Sequence, residues 1–260
     1  MAFIYDWWKN ASRSDWRDHV VQTIDMSSAL IADWDHTFFE ATKILSDAYV
    51  SLHGQRAVER PEPSDEHELE ALFWDLQRSS IVIDSVVGSA CVVLMRWMDQ
   101  AKRIAIADFI LLETKFPFET DPESEKDKWT RHDCLVMRDF GSKVPEKDVS
   151  GASAIWQIGN VFKHGGGGNL RKPTENVAKK LGFSSQMLEI PEHEDEEALR
   201  QMALKEVAYT LDADSIERMA LQLGCGPIPG LMPLYDHVES WQKAIGERLR
   251  DKKAALYGLP

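Results

Sequence analysis

"LEALFWDLQRSSIVIDSVVGSACVVLMRWMDQAKRI", residues 69 to 104, carries the pattern on which the fold turns. Leu69, Phe73, Leu76, Ser80, Ile83, Val87, Ala90, Leu94, Trp97, Ala101 and Ile104 follow one another at alternating steps of four and three. That spacing lines one face of an amphipathic helix. About 35 such residues would reach roughly 50 Å at 1.5 Å per residue. The most apolar part, 81 to 95, contains Asp84 and is shorter than the roughly 20 residues a spanning helix needs. It reads as a buried helix and not as a membrane segment.

Upstream, Met26, Leu30, Trp34, Thr37, Ala41, Ile44, Ala48 and Leu52 recur at the same steps and predict a second helix stripe. Gly54 and the "RPEPSDE" stretch at 60 to 66 break it, and Ser64 or Asp65 is placed to cap the helix that follows. Two long helices joined by a short polar link predict an antiparallel hairpin over 26–104.

Downstream, "FPFETDPESEKDK" at 116 to 128 reads as an exposed connection. "WTRHDCLVMRDFGSK" at 129 to 143 fits a short helix or an extended piece. Helical spacing returns at 147 to 163, where Val149, Ala152, Ile155, Trp156, Ile158, Gly159 and Phe162 form an inward face that a glycine run ends. A further helix is predicted over 195–223, stopped by "GCGPIPG" at 224 to 230. A last helix, with Leu234, Val238, Trp241, Ile245 and Leu249 inward, runs to about 253. Neither period-two alternation nor a repeat of 20 to 50 residues is visible. The expectation is an all-α helical bundle, one domain over 1–260, with the hairpin at 26–104, a motif helix and glycine-rich loop at 147–183, and C-terminal helices at 195–253.

The 260 residues carry a formal charge of −13, with 43% hydrophobic and 28% charged residues, which fits a folded, soluble chain. That charge opposes general nucleic-acid or anionic-membrane binding, so a polyanion partner would need a local basic patch. Cys91, Cys134 and Cys225 are far apart and form no CxxC pair, so neither a disulfide framework nor a thiolate zinc site is indicated. No secretory signal pattern opens the chain. A cytoplasmic protein without cofactor, metal or membrane partner is expected.

"IWQIGNVFKHGGGGNLRKPTENVAKKLGF", 155 to 183, departs from this ordinary composition. Asn160 and His164 lie four apart and share a helix face, with Lys163 one residue round. An imidazole can move protons near neutral pH, while lysine and asparagine can hold phosphate oxygens. Lys163, Arg171, Lys172, Lys179 and Lys180 stand against the single acid Glu175, which supplies the local basic patch that RNA would require. The glycines are no phosphate loop, because the preceding strand and the following lysine–serine are missing. The competing account is structural. Cations favour the last turn of a helix and glycine the position after it, and on this account Asn160 only hydrogen-bonds across the bundle.

A long helical hairpin followed by a helix ending in Asn160-x-x-Lys163-His164 resembles the HEPN superfamily of small α-helical proteins, found in prokaryotic toxin–antitoxin, abortive-infection and CRISPR-linked systems. The resemblance implies a homodimer in which two motifs meet, and, in ribonuclease members, metal-independent RNA cleavage. Their pattern is an arginine, four to six residues, then a histidine. His164 matches the histidine and Asn160 the polar residue, but Gln157, Ile158 and Gly159 occupy the positions open to the arginine. Lys163, Arg171 or Arg131 would have to replace its charge. Two functions follow: an endoribonuclease with His164 as general acid or base, Asn160 positioning the phosphate and Lys163 supporting its charge, or a non-catalytic module that binds RNA or a protein partner from the same operon.

Other clusters carry less. In "DWDH" at 33 to 36, Asp33 and His36 share a helix face but Asp35 does not, which favours a solvated face over a metal site. His193 in "PEHEDEEALR" precedes a helical pattern whose start the acids complement. "TRHDC" at 130 to 134 places Arg131, His132, Asp133 and Cys134 together, although neighbours in sequence rarely face one another. "YDWWKN" at 5 to 10 with Trp16 offers an aromatic surface or a buried terminus.

Overall fold

The computed structural model describes residues 13–56, 64–113, 125–138, 140–164, 172–181 and 216–257. These form α1 (Arg13–Arg56), α2 (Glu66–Glu113), α3 (Glu125–Arg138), α4 (Gly151–His164), α5 (Lys172–Lys180), α6 (Ile216–Leu221) and α7 (Met232–Tyr257). Among the described residues, extended pairing is limited to the isolated bridges Lys143–Ser150 and Gly226–Gly230. The chain is mainly α-helical.

α2 is the axis of the bundle. Its 48 residues span about 70 Å at 1.5 Å per residue. Leu69, Leu76, Ser80, Ile83, Val87, Ala90, Leu94, Trp97 and Ala101 are buried, as their spacing predicts. Cys91, Met95, Met98, Ala105, Ile106 and Phe109 are buried as well, because α2 packs against α1 and α4 and also meets α3, α6 and α7. By length and composition α2 would pass as a membrane-crossing helix, and half of its most apolar window is buried within the bundle. At its start the Asp65 carboxylate accepts the Glu68 N–H at 2.9 Å, and the Glu68 carboxylate reaches back to the Ser64 N–H at 2.8 Å. Of the two residues the sequence offers, Asp65 is the cap.

α1 runs antiparallel to α2. Ser27 donates to Asp108 at 3.2 Å, Phe38 stacks on Trp97 with ring centroids 5.4 Å apart, and Trp16, Val20 and Ile24 pack against Leu111 and Leu112. The helix is longer than the predicted segment beginning at Met26, and its buried stripe is rotated. Met26 is 74% and Ile44 67% exposed, while Thr42, Ser46 and Tyr49 are buried. Hydrogen bonds explain the rotation: Thr42 Oγ1 donates to the Phe38 carbonyl at 2.8 Å, and Ser46 Oγ accepts the Leu231 N–H at 2.9 Å. Polar residues so satisfied can take inward positions.

α7 closes the core. Leu234, Val238, Trp241, Ile245 and Leu249 are all buried, and the helix continues past the predicted end at 253 to Tyr257. Tyr235 also stacks on Trp97, with ring centroids 6.0 Å apart. Of the segment open between helix and extended chain, residues 129 to 138 are helical and 140 to 143 are not: α3 buries Val136, whose carbonyl accepts the Trp241 indole N–H at 2.8 Å. Of the helix predicted over 195–223, residues 195 to 215 lie outside the described residues, and Ile216–Leu221 is the short α6. Asp84, the one acid in the apolar run of α2, accepts the Glu217 N–H at 2.8 Å and so caps α6. Tyr49 and His53 of α1 bond the Glu217 carboxylate at 2.9 and 2.6 Å.

α4 starts at Gly151, later than the predicted 147, because the chain before it forms a tight turn in which the Val144 N–H meets the Val149 carbonyl at 2.9 Å. Ser150 caps the helix through the Ser153 N–H at 3.2 Å. The helix lies antiparallel along α2: Gly159 faces Met95, Gly88 faces Phe162, and Lys102 sits 4.5 Å over the Trp156 ring. A Cβ on Gly159 would collide with Met95 Sδ, and one on Gly88 with the Phe162 ring.

These contacts fix two outcomes in urea denaturation. Gly159→Ala and Gly88→Ala each lose about 1–3 kcal/mol through overpacking. Gly54→Ala, in a stretch of α1 where an added Cβ meets nothing within 4 Å, gains about 0.5–1 kcal/mol from helix propensity alone.

Candidate functional site

Because Gly159 and Phe162 lock one side of α4 against α2, the opposite side of its last turns meets the surface. Asn160 is half-buried there, and its amide N–H donates to the Gln157 carbonyl oxygen at 3.2 Å. This pair is three residues apart on one helix face and orients the Asn160 amide. Lys163 is exposed one turn on. His164 is the last residue of α4; its side chain, Gly165 to Gly168, Arg171 and the side chain of Lys172 lie outside the described residues. So do the predicted "YDWWKN" surface at 5 to 10 and His193.

α5 occupies part of what the sequence reads as loop, and it returns alongside α4. Its Lys180 ammonium donates to the Asp148 carbonyl at 3.3 Å, just before α4 begins. α4 has 14 residues, about 20 Å at 1.5 Å each. Lys179 and Lys180, both exposed, therefore belong to the start of α4, while Asn160, Lys163 and His164 belong to its end. Among the described residues, Lys163 and the Lys179–Lys180 pair thus lie at opposite ends of α4 and not in a single cluster.

Arg131 does not reach the motif within one chain. It bonds Glu113 at the far end of α2 at 2.9 Å, whereas Phe162 packs on Gly88. The intervening stretch of α2 spans about 37 Å.

Arg131 instead belongs to a charged knot joining α2, α3 and α7, which the sequence did not reveal. The Glu113 carboxylate takes Arg131 at 2.9 Å and His132 Nε2 at 3.0 Å on one oxygen, and Lys252 at 3.0 Å on the other. The His132 ring is 2% exposed and stacks on Phe109 at 5.5 Å. Burial alone would raise the Glu113 pKa, but its bonds to Arg131, Lys252 and His132 outweigh it and hold the pKa down at about 2. Asp133, on another side of α3, pairs with Lys102 at 2.9 Å. Of the "TRHDC" residues, Arg131 and His132 thus converge on Glu113 while Asp133 turns away, and the side chain of Cys134 lies outside the described residues.

Asp108 behaves in the opposite way. It is 3% exposed, one carboxyl oxygen has no hydrogen-bond partner, and desolvation lifts its pKa to about 7 against the opposing Ser27 hydrogen bond. Cys91 and Cys225 are buried thiols whose pKa values are raised by burial, which makes them poor nucleophiles. Among the described residues no three His, Cys, Asp or Glu side chains gather as a metal site would require.

The two carboxylates respond to pH with opposite signs. Glu113, with a folded pKa below its unfolded value, contributes stability present above about pH 4.5 and lost as pH falls toward 2. Glu113→Gln is therefore less stable than wild type at pH 7 in denaturant titration, by about 1–2 kcal/mol after screening at this partly exposed site, and the gap closes in acid. Asp108, with a raised folded pKa, favours the fold fully below about pH 3.8, and that contribution is lost as pH rises to about 7. Asp108→Asn stays neutral throughout, so its stability relative to wild type rises between pH 4 and 7 and levels off above.

No known protein family, curated protein or solved structure matches this chain.

Proposed function

We propose that the chain is a HEPN-like helical protein of a bacterial defence or toxin–antitoxin system, acting on RNA at the carboxyl end of α4 as a cytoplasmic homodimer. One observation carries the reading: Asn160 and Lys163 are presented at the surface on the last turns of a helix whose other side is wedged against α2 by Gly159 and Phe162. A phosphate held there would meet an amide oriented by Gln157 and an exposed ammonium. His164, four residues after Asn160, is the proton carrier in this scheme. It takes the proton from a ribose 2′-hydroxyl as that oxygen attacks the adjacent phosphorus, and the 5′-oxygen leaves with a proton from the second copy's motif. The products are a 2′,3′-cyclic phosphate and a 5′-hydroxyl end. Lys163 does the work of the missing arginine as a single point charge, without the paired donors of a guanidinium. Turnover is correspondingly slow.

A second reading, a non-catalytic module for a protein partner, draws on a different surface. Trp74, Ile81 and Val82 of α2 are 46%, 57% and 45% exposed, an apolar set on a chain whose net charge of −13 disfavours RNA. Incubation of the purified protein with mixed single-stranded and transfer RNA in EDTA separates the two. The ribonuclease reading expects cleavage that survives chelator, ends in cyclic phosphate, and falls at least ~100-fold in His164→Ala. Absence of cleavage by the folded wild type, or equal cleavage by His164→Ala, leaves the binding module.

A further inference from the structure

At the opposite end of α4 from this motif lies a serine–histidine pair that the proposed function does not use. Ser142 Oγ and His237 Nδ1 are 2.6 Å apart, joining the loop before α4 to α7. The Leu223 backbone lies within hydrogen-bonding reach of the His237 ring. A neutral ring with its N–H at Nε2 has the Nδ1 lone pair free to accept the Ser142 hydroxyl proton. Burial lowers the His237 pKa and keeps the ring in its basic form at neutral pH.

Both partners are held from several sides. The Ser142 carbonyl accepts the Gly151 N–H at 2.8 Å, and a Cβ on Gly151 would run into the His237 ring. Gly141, at φ +83°, lets the chain pass within contact of the Trp241 backbone, where any other residue would clash. Ser142 opens onto a groove of about 530 Å³ lined also by Gly141, Glu239, Ser240, Lys243 and Glu247. The Lys243 ammonium, 2.7 Å from Glu239, is its cation.

We propose that Ser142 and His237 form a nucleophile–base pair that hydrolyses small, polar acyl esters bound in this groove. Ser142 Oγ bonds to the acyl carbon as its proton passes to His237 Nδ1. The tetrahedral species then expels the alcohol, which takes that proton. Water attacks the acyl-serine with His237 again as base, giving the carboxylic acid and restoring the hydroxyl. Throughout, Gly151 packed against the ring and the nearby Leu223 backbone hold His237 in place, the orienting part that a carboxylate plays in other triads. Glu239, Ser240, Lys243 and Glu247 along the groove offer polar contacts to an acyl group that carries polar substituents.

A fluorophosphonate probe tests this on the full chain, with intact-mass and peptide analysis to locate the adduct. A single phosphonyl group on Ser142 is expected, formed at a rate that is flat above the ordinary histidine pKa of about 6.5. His237→Gln, checked for helicity by circular dichroism, should slow it at least ~100-fold. Because that variant disturbs packing around Gly151, Ser142→Cys gives an independent reading: its thiol should react with iodoacetamide at pH 7 at least ~10-fold faster than glutathione, as a histidine-activated thiolate does. Failure of folded wild type to label at Ser142, labelling unchanged in His237→Gln, or an ordinary thiol rate in Ser142→Cys overturns the assignment. None of these results bears on cleavage of RNA by His164.

Discussion

The Trp97 ring stacks nearly parallel on Phe38 of α1 and on Tyr235 of α7, with centroids 5.4 and 6.0 Å away. This stack sets the geometry on which the other contacts rest. It fixes the register of α1 against α2, so that Ser27 falls opposite Asp108 and Tyr49 comes within reach of the α6 start. It also holds α7 across both helices, which places Trp241 under the Val136 carbonyl and Lys252 beside Glu113. Aromatic rings with few rotamers specify such a register more sharply than aliphatic stripes, because offset stacking tolerates little sliding. The α1–α2 hairpin supplies length, and this stack supplies its alignment.

From that alignment follows the position of α4. The gap left along α2 between Gly88 and Lys102 admits a helix only where the backbones can approach closely, and Gly88 and Gly159 permit it. Small residues in both helices let Phe162 and Met95 interlock, which leaves α4 no freedom to rotate about its axis. The rotational setting decides which residues face water. Turned by one residue so that Lys163 took the place of Phe162, the helix would bury its ammonium. The candidate RNA contact at Asn160 and Lys163 is thus a consequence of core packing two glycines away, and the Ser142–His237 pair at the other end depends on the same helix through Gly151.

What was legible in the sequence follows from which forces leave a periodic trace. The α2 and α7 stripes are apolar and regular, and the described positions they name are buried apart from Ile104, which is half-buried. The α1 stripe misled because Thr42 and Ser46, which do lie inward, are satisfied by carbonyl and amide partners that hydropathy does not register. Asp84 was visible as an intruder in an apolar run, yet its partner, the α6 amide of Glu217, is 133 residues away. Separations of 139 and 95 residues likewise hid Glu113 with Lys252, and Ser142 with His237: each pair is assembled by the bundle, and no local spacing announces it. The α4 motif stood out because its residues are neighbours on one helix. The basic run did too, but sequence adjacency compressed what α5 spreads along some 20 Å of α4.

Photo-cross-linking of 4-thiouridine RNA to the purified chain, with the adducts mapped by peptide mass, tests most directly whether the α4 end meets RNA. The account predicts adducts concentrated in the peptides carrying Asn160 to His164 and the adjoining start of α5, and their loss in Lys163→Glu while the fold is retained. Adducts that fall elsewhere on the chain, or cross-linking that Lys163→Glu leaves unchanged, would contradict it.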